Sequence, residues 1–294
     1  MAKAQIPDAL KADLPQTKWG KIVATTPVVM TVIATLLAGL SSSEMIRAQY
    51  DRSLAAQQQS KAGDQWGYFQ AKRLRAAQQR GTLDVIRATA KVYPLDAKRF
   101  EPSSASPLAL DSLANGTLPA TEPAPALAEP ISAALAAVEA GQSDEAVVHL
   151  LKSIKKTDLA GALAAASAHV RAFDAALKPV TSDIETLEKH ISPGIEPSFI
   201  AARLAYSAQR YDVESRQNQV IAQLLELQVR QSNISAERHH SRSGFFFYGM
   251  LAAQLAVIIS TLSMAVQKRN TLWVIAAAAG VFALAFAIYV YLFV

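Results

Sequence analysis

The chain has 294 residues, a formal net charge of +5 and no cysteine. Without cysteine it can form no disulfide, no thiolate metal site and no cysteine nucleophile. The basic residues are scattered along the chain and form no dense patch, so the positive charge does not indicate a nucleic-acid partner. Alanine is abundant and alternating β-branched residues are scarce, which favours helix throughout.

Residues 22–40 form the first apolar stretch, and none of these 19 residues is charged. As a helix rising about 1.5 Å per residue, the stretch nearly spans a hydrocarbon core of about 30 Å. It also exceeds the apolar core of a signal peptide, which has roughly 7–15 residues. We therefore predict an uncleaved first transmembrane helix over residues 22–40, behind a cytoplasmic tail of residues 1–21.

Two more uncharged stretches, residues 245–266 and 271–294, follow much later in the chain. Each is long enough to cross a bilayer as a helix. Only residues 267–270 separate them, and so short a link leaves no room for a domain. We predict transmembrane helices 2 and 3, joined by a cytoplasmic hairpin.

Lysine and arginine near the spans predict the orientation. The first tail and the hairpin both carry basic residues, and two spans separate them, so both lie on one side of the membrane. These residues are Lys3, Lys11, Lys18, Lys21, Lys268 and Arg269. We expect this side to be the cytoplasm of a bacterial inner membrane, which puts residues 41–244 in the periplasm. Arg47, Arg52, Arg238 and Arg242 flank the other side and favour the reverse orientation.

Residues 41–93 and 196–244 are predicted to form two long helices, one leaving the membrane and one returning to it. In each helix one row of mostly apolar residues recurs every seven positions, as in a coiled-coil seam. The first row is Ala48, Ala55, Ala62, Phe69, Ala76, Leu83 and Ala90, and the second is Tyr206, Val213, Val220, Leu227 and Ile234. We predict a long antiparallel, coiled-coil-like stalk; the alternative is that an alanine-rich sequence produces such rows by chance.

The outgoing helix carries the most distinctive motif of the chain, in which aromatic, amide and basic side chains lie close together. Its residues are Asp64, Gln65, Trp66, Tyr68, Phe69, Gln70, Lys72 and Arg73. As a binding surface it would hold an anion on Lys72 and Arg73, or a cation on the face of Trp66. As a packing motif it would place Trp66 against Phe69, its i+3 neighbour. We favour packing and treat these residues as a candidate interaction motif.

Residues 94–130 are rich in proline and predict a linker, and residues 131–195 predict a small helical insertion. Several short helices separated by glycine and proline fill the insertion.

Gly141 is predicted to end the first helix of the insertion, and Ser143 is a good N-cap for the second. Pro179 is predicted to end a third helix over residues 159–177, because proline lacks the N–H that a helix interior uses. A short fourth helix is expected over residues 182–191.

The return helix ends in a basic cluster formed by Arg238, His239, His240 and Arg242. The paired histidines suggest a pH-sensitive or metal site. Adjacent positions on a helix point about 100° apart, however, so the two rings would not converge. We interpret the residues as a membrane-interface cluster whose long side chains reach the headgroups.

The sequence DQWGYFQAK at residues 64–72 resembles the signature of a bacterial membrane-protein family of unknown function. His239-His240 and the stretches around residues 245–254 and 268–273 resemble the C-terminal part of that family. The resemblance covers residues 18–93 and 200–294, with residues 94–195 as an insertion. It implies one N-terminal span and a C-terminal hairpin, and it brings no activity or cofactor.

The chain contains no glycine-rich phosphate loop, no His-Glu-x-x-His and no Gly-x-Ser-x-Gly. We therefore predict an all-α membrane protein that is not an enzyme and holds no cofactor or metal. It would be a scaffold or accessory subunit in the lipid bilayer, partnered by itself as a homo-oligomer or by another membrane protein. The alternatives are a sensory, ligand-binding module and a subunit of an oligomeric channel or transport complex.

Overall fold

The computed structural model describes residues 18–95, 107–189, 191, 195–265 and 269–294, and all regular secondary structure in these residues is helical. This confirms the all-α class for that part of the chain. The helices are α1 (Lys18–Thr89), α2 (Pro107–Asn115), α3 (Glu129–Glu139), α4 (Asp144–Ser153), α5 (Lys156–Glu188), α6 (Glu196–Ala265) and α7 (Arg269–Phe293). Most of the predicted N-terminal tail, residues 96–106 of the predicted linker and residues 267–268 of the predicted hairpin lie outside the described residues.

Helices α1, α6 and α7 are each long and apolar enough to cross a membrane. These three helices fit a multi-pass membrane protein. Helix α1 continues without a break through Pro27 and through Ser41, and α6 continues without a break through Gly244. The change from apolar to polar composition therefore occurs inside two uninterrupted helices rather than at helix ends.

The chain divides into two compact units. The terminal unit comprises residues 1–53 and 233–294, and the central unit comprises residues 54–232.

Small side chains bring the helices of the terminal unit together. From α6, Ala253, Ala256 and Ser260 are completely buried, as is Ala283 from α7. A Cβ added at Gly280 of α7 would overlap the end of the Met30 side chain of α1, so α1 and α7 approach closely there. Lipid is as apolar as leucine, so close packing of small residues is the expected way for membrane helices to associate.

One hydrophobic core cluster of the central unit is formed by α2, α5 and α6. Its buried members are Ala109, Leu113, Phe173, Leu177, Val180, Ile184, Leu187, Phe199 and Tyr206. Helix α2 lies within the segment predicted as a linker, residues 94–130. Its first residue, Pro107, suits a helix first turn, and burial of Ala109 and Leu113 against α5 and α6 stabilises a helix too short to form alone.

The prediction that Pro179 ends a helix is wrong, because α5 runs through it to Glu188. Proline inside a helix costs about 3 kcal/mol. Beyond it, however, Val180, Ile184 and Leu187 are all buried on the core face. Each of these buried side chains contributes about 1.5–3 kcal/mol, which together exceeds the cost of the proline.

Gly141 ends α3 as predicted, in the left-handed conformation at φ 63°. Its N–H donates to the carbonyl of Val138 (3.1 Å), and the N–H of Gln142 donates to that of Ala137 (3.0 Å). This is the Schellman arrangement, which satisfies the last carbonyls of a helix and favours glycine.

We expect Gly141→Ala to destabilise the central unit by about 1–2 kcal/mol, because a Cβ is strained at this φ. Gly161 is a matched control, since it is an exposed glycine inside α5 with nothing within 4 Å of an added Cβ. Gly161→Ala should stabilise by about 0.5–1 kcal/mol. Trp66 is the single tryptophan of the central unit, so its emission reports unfolding in a Trp19→Phe/Trp273→Phe background. Equal shifts for the two alanine variants would contradict this account of Gly141.

Candidate functional site

Side-chain contacts show that α1 and α6 run antiparallel in the central unit. Ser232 Oγ donates to Gln58 Oε1 (2.9 Å), and Trp66 Nε1 donates to Glu226 Oε1 (2.8 Å). Further along, Lys72 forms an ion pair with Glu214. As the residue number rises along α1, that of its partner on α6 falls.

Alanine dominates the α1 side of this helix pair. Ala55, Ala62, Ala76 and Leu83, all members of the predicted row of seven, are buried. On α6 the predicted row is less uniform, because Tyr206 and Leu227 are buried whereas Val220 is 36% exposed. Helix α6 packs against the insertion as well as against α1, so its buried surface is wider than a single row.

The aromatic part of the candidate motif packs within the central unit. The rings of Trp66 and Phe69 meet edge to face, with centroids 5.4 Å apart. The guanidinium of Arg73 stands over the Phe69 ring at 5.8 Å. Trp66 therefore donates its N–H to Glu226 and packs its ring against Phe69. The contact with Phe69 is the one that a packing motif would make.

The cationic part of the motif meets a buried carboxylate. The Glu214 side chain is 5% exposed, and it pairs with Lys72 from α1 and with Arg210 from its own helix. Arg210 Nε donates to Glu214 Oε1 at 2.6 Å, and Arg210 Nη1 donates to Thr181 Oγ1 of α5 at 3.2 Å. Glu214 thus links α1 to α6, and Arg210 links the same cluster to α5. The ring of Tyr211 completes the cluster, with Lys72 Nζ 5.2 Å from its centroid.

Burial and the charge of Glu214 shift the pKa values of two neighbouring residues, Arg210 and Asp174. Burial lowers the pKa of Arg210, but the hydrogen bond and the negative charge of Glu214 outweigh it, so the net pKa is raised and the guanidinium stays charged. For Asp174 on α5, burial raises the pKa of the carboxyl, and repulsion from Glu214 raises it further.

Of the remaining motif residues, three point towards the outside and one points inward. Asp64, Gln70 and Tyr68 are exposed, Tyr68 to 57%. Gln65 turns inward, and its buried Oε1 accepts no hydrogen bond from the described residues. Sequence analysis missed the residues of α6 that the motif contacts, although Arg210 and Glu214 stand at the i, i+4 spacing of a helical ion pair.

A second face of α1 in the central unit is exposed and is formed by small, apolar and uncharged polar residues, with Asp64 at its edge. We call it the outer stripe. It consists of Ala56, Ser60, Gly63, Gly67, Ala71, Leu74, Gln78, Gly81, Val85 and Ala88, which follow one another at steps of three and four residues. A Cβ added at any of its three glycines would meet nothing within 4 Å. The outer stripe extends for about 48 Å along the helix.

The basic cluster lies in the terminal unit, and its two histidines do not converge. His239 Nδ1 lies 2.5 Å from Glu44 Oε2, a carboxylate that also accepts from Arg47 Nη1 at 3.3 Å. His240 is exposed. Arg238 Nε donates to the carbonyl of Val294 at 3.0 Å, and the Nε of Arg242 is buried with no partner among the described residues.

Potential metal ligands do not gather here, since the described residues contain no group of three or more His, Asp or Glu side chains placed to hold an ion. Reciprocal hydrogen bonds one turn away tie the same helices, with Ser41 Oγ donating to the Ser243 carbonyl (3.0 Å) and Ser243 Oγ donating to that of Ser41 (2.8 Å). His239 thus belongs to a helix–helix contact in the terminal unit.

Residues 19–105 match the family described as Domain of unknown function (DUF4337), and this stretch includes all of α1 after Lys18 and the whole candidate motif. No curated protein and no solved structure matches the chain. The family match agrees with a resemblance to a family of unknown function over the N-terminal part, and it does not extend to residues 200–294, where the resemblance stays a prediction.

We expect Glu214→Gln to lower the free energy of unfolding of the central unit by about 2–3 kcal/mol, because two partly buried cations would lose their counter-charge. Arg230 provides the control, since its ion pair with Asp144 is exposed and should contribute at most about 1 kcal/mol. Trp66 emission during urea unfolding measures both variants. A Glu214→Gln variant no less stable than Arg230→Gln would contradict the role assigned to Glu214.

Asp174→Asn should stabilise the central unit at neutral pH. The pKa of Asp174 is raised by folding, so the folded state binds this proton more tightly than the unfolded state does. The carboxyl therefore stabilises the fold below its unfolded pKa, and this contribution is lost as pH rises through the folded pKa. Urea titrations at pH 7 and below pH 3.8 test this, because the advantage of asparagine should vanish at the lower pH.

Proposed function

We propose that this chain is a non-enzymatic helical scaffold or accessory subunit of a bacterial inner membrane. Its three spans anchor a helical stalk with the insertion beside it, and the stalk assembles with a second copy or with another membrane protein. The N-terminus lies in the cytoplasm and residues 41–244 lie in the periplasm. The observation that carries the proposal is the outer stripe of α1.

The outer stripe has the composition of a helix–helix contact rather than of a solvated face. The inward face of α1 already packs through alanine, so the outer stripe is a second face along the same helix. Glycine, alanine and serine let another backbone approach closely, and Leu74 and Val85 supply apolar area. A helix with two faces of small and apolar residues at helical period is typical of an assembly with more than two helices.

The hydrogen-bond donors of the motif support a structural role. Lys72 and Trp66 are directed to carboxylates on α6, where they fix one helix on another. An anion offered to Lys72 would have to displace Glu214. We take the DQWGYFQAK motif as the signature of a bacterial membrane-protein family on the basis of this packing role and of the match to residues 19–105.

One cavity favours a second candidate, a sensory or ligand-binding module. It has a volume of about 390 Å³ and lies in the central unit beside Trp66. Glu139 and Glu226 line it together with Leu135 and Val138. An aromatic ring and two carboxylates would suit a small organic cation. Protection of the protein by such a cation in a thermal-shift assay would favour this candidate.

Ala71→Arg tests the scaffold proposal by placing a charge in the outer stripe. We expect the variant to lose the assembly that the wild-type chain forms in nanodiscs drawn directly from its native membrane, because the assembly would bury the new charge. Gln59→Arg is the matched control, since Gln59 is exposed and stands in the row of seven that holds Arg73 and Arg80, outside the outer stripe. Mass photometry and mass spectrometry measure size and composition. A wild-type monomer with no co-purifying protein would contradict the proposal.

A further inference from the structure

Gln254 is a polar residue on an otherwise apolar exposed face of α6. Its exposed neighbours include Leu251, Leu255 and Ile258. It lies nine residues beyond Phe245, or about 14 Å along the helix, which is near the middle of a hydrocarbon core of about 30 Å. Among the residues that the structure describes, none exchanges a hydrogen bond with its carboxamide.

Gln254 lines a shallow groove of about 470 Å³ in the terminal unit. Across from it, α1 presents Thr31, Ala34, Thr35 and Ala38. The two threonine hydroxyls are occupied by their own helix, since Thr31 Oγ1 donates to the Pro27 carbonyl (2.8 Å) and Thr35 Oγ1 to that of Thr31 (2.9 Å). Among the described side chains of this groove, the carboxamide of Gln254 thus supplies the N–H groups without a partner, whereas the threonine oxygens can only accept.

Hydrocarbon cannot satisfy a carboxamide. An amide without a partner in an apolar medium costs about 4–8 kcal/mol relative to water, so an acyl chain alone is a poor occupant. A carboxamide both donates and accepts, which makes it complementary to a second carboxamide. Two copies related by a two-fold axis along the membrane normal would bring identical surfaces together and pair the two side chains reciprocally.

We propose that this groove is an interface with a second copy of this chain, in which the Gln254 carboxamides of the two copies hydrogen-bond to each other. The small side chains of Ala34 and Ala38 let the second copy approach. The inference rests on the membrane placement in the proposed function, and it adds a contact within the bilayer that is separate from the outer stripe.

The first test is disulfide crosslinking of the full chain in liposomes, for which the absence of natural cysteine gives a clean background. Ile258→Cys lies one turn from Gln254 in the same groove, and we expect it to form a covalent dimer on oxidation. Leu255→Cys, exposed but outside the groove, is the control and should stay monomeric. Crosslinking of both cysteines to the same extent, or of neither, would overturn the proposal.

The second test measures the hydrogen bond itself by energy transfer between tagged copies at increasing lipid dilution. Gln254→Leu should raise the dissociation constant by about 3- to 30-fold, the range expected for an interhelical hydrogen bond in a membrane. Leu255→Ala should leave it within about 2-fold. Leucine is more apolar than glutamine, so the variant is expected to insert and fold. Unchanged association of Gln254→Leu would overturn the assignment.

Both tests are repeated with Ala71→Arg, so that association through the outer stripe is removed. Dimers that persist in this background and depend on Gln254 support the groove even where the outer stripe is inactive. A dimer linked by Ala71→Cys but not by Ile258→Cys would leave the proposed scaffold standing and overturn the groove. The groove proposal would also be overturned if this chain formed no dimer in liposomes but became crosslinked to a different protein in native membranes. The partner in the groove would then be that other protein.

Discussion

The central unit depends on one buried carboxylate, that of Glu214. A charge taken out of water is costly unless counter-charges stand beside it, and here Lys72 and Arg210 supply them. Lys72 comes from α1 and Arg210 from α6, and Arg210 reaches Thr181 on α5 as well. Moving α1 by one turn relative to α6 would separate Lys72 from Glu214 and leave the carboxylate with one counter-charge fewer. The pair therefore fixes the axial register of the two long helices.

The alignment of α1 with α6 depends on this ion pair because the seam of α1 is built mostly from alanine. Five of the seven residues in this row are alanine, which allows close approach but does not distinguish one register from the next, and only Phe69 and Leu83 interrupt the series. Two more polar contacts between the helices have a fixed position. They are the hydrogen bonds from Trp66 to Glu226 and from Ser232 to Gln58. In this helix pair the methyl groups provide proximity, and the polar pairs select one alignment out of several.

Small residues and fixed polar contacts recur in the terminal unit. Ala253, Ala256 and Ser260 of α6 are wholly buried, and Trp273 Nε1 donates to Thr26 Oγ1 at 2.9 Å. Helices that meet through small residues keep their larger side chains on the outside. The residues on which the two proposals rest lie on exposed faces of the two units, the outer stripe on α1 and Gln254 on α6. We therefore expect the functional contacts of this chain on the helix faces that stay exposed after its own helices have packed.

The sequence by itself determined the helical class and the three apolar stretches, because composition and helical period are properties of short segments. It also placed the helix end at Gly141, since the left-handed conformation favours glycine whatever surrounds it. Trp66 and Phe69 could be paired for the same reason, as they are three residues apart.

Only the tertiary structure decided that α5 runs through Pro179 and that α2 forms inside a proline-rich segment. In both cases burial of side chains against other helices outweighs a local preference, and that burial is invisible to a pattern within one segment. The partner of Lys72 is 142 residues away, so no spacing rule points to it. The physical reason is the distance along the chain. Helix propensity and capping depend on neighbouring residues, whereas the counter-charge of a buried carboxylate depends on which helices pack together.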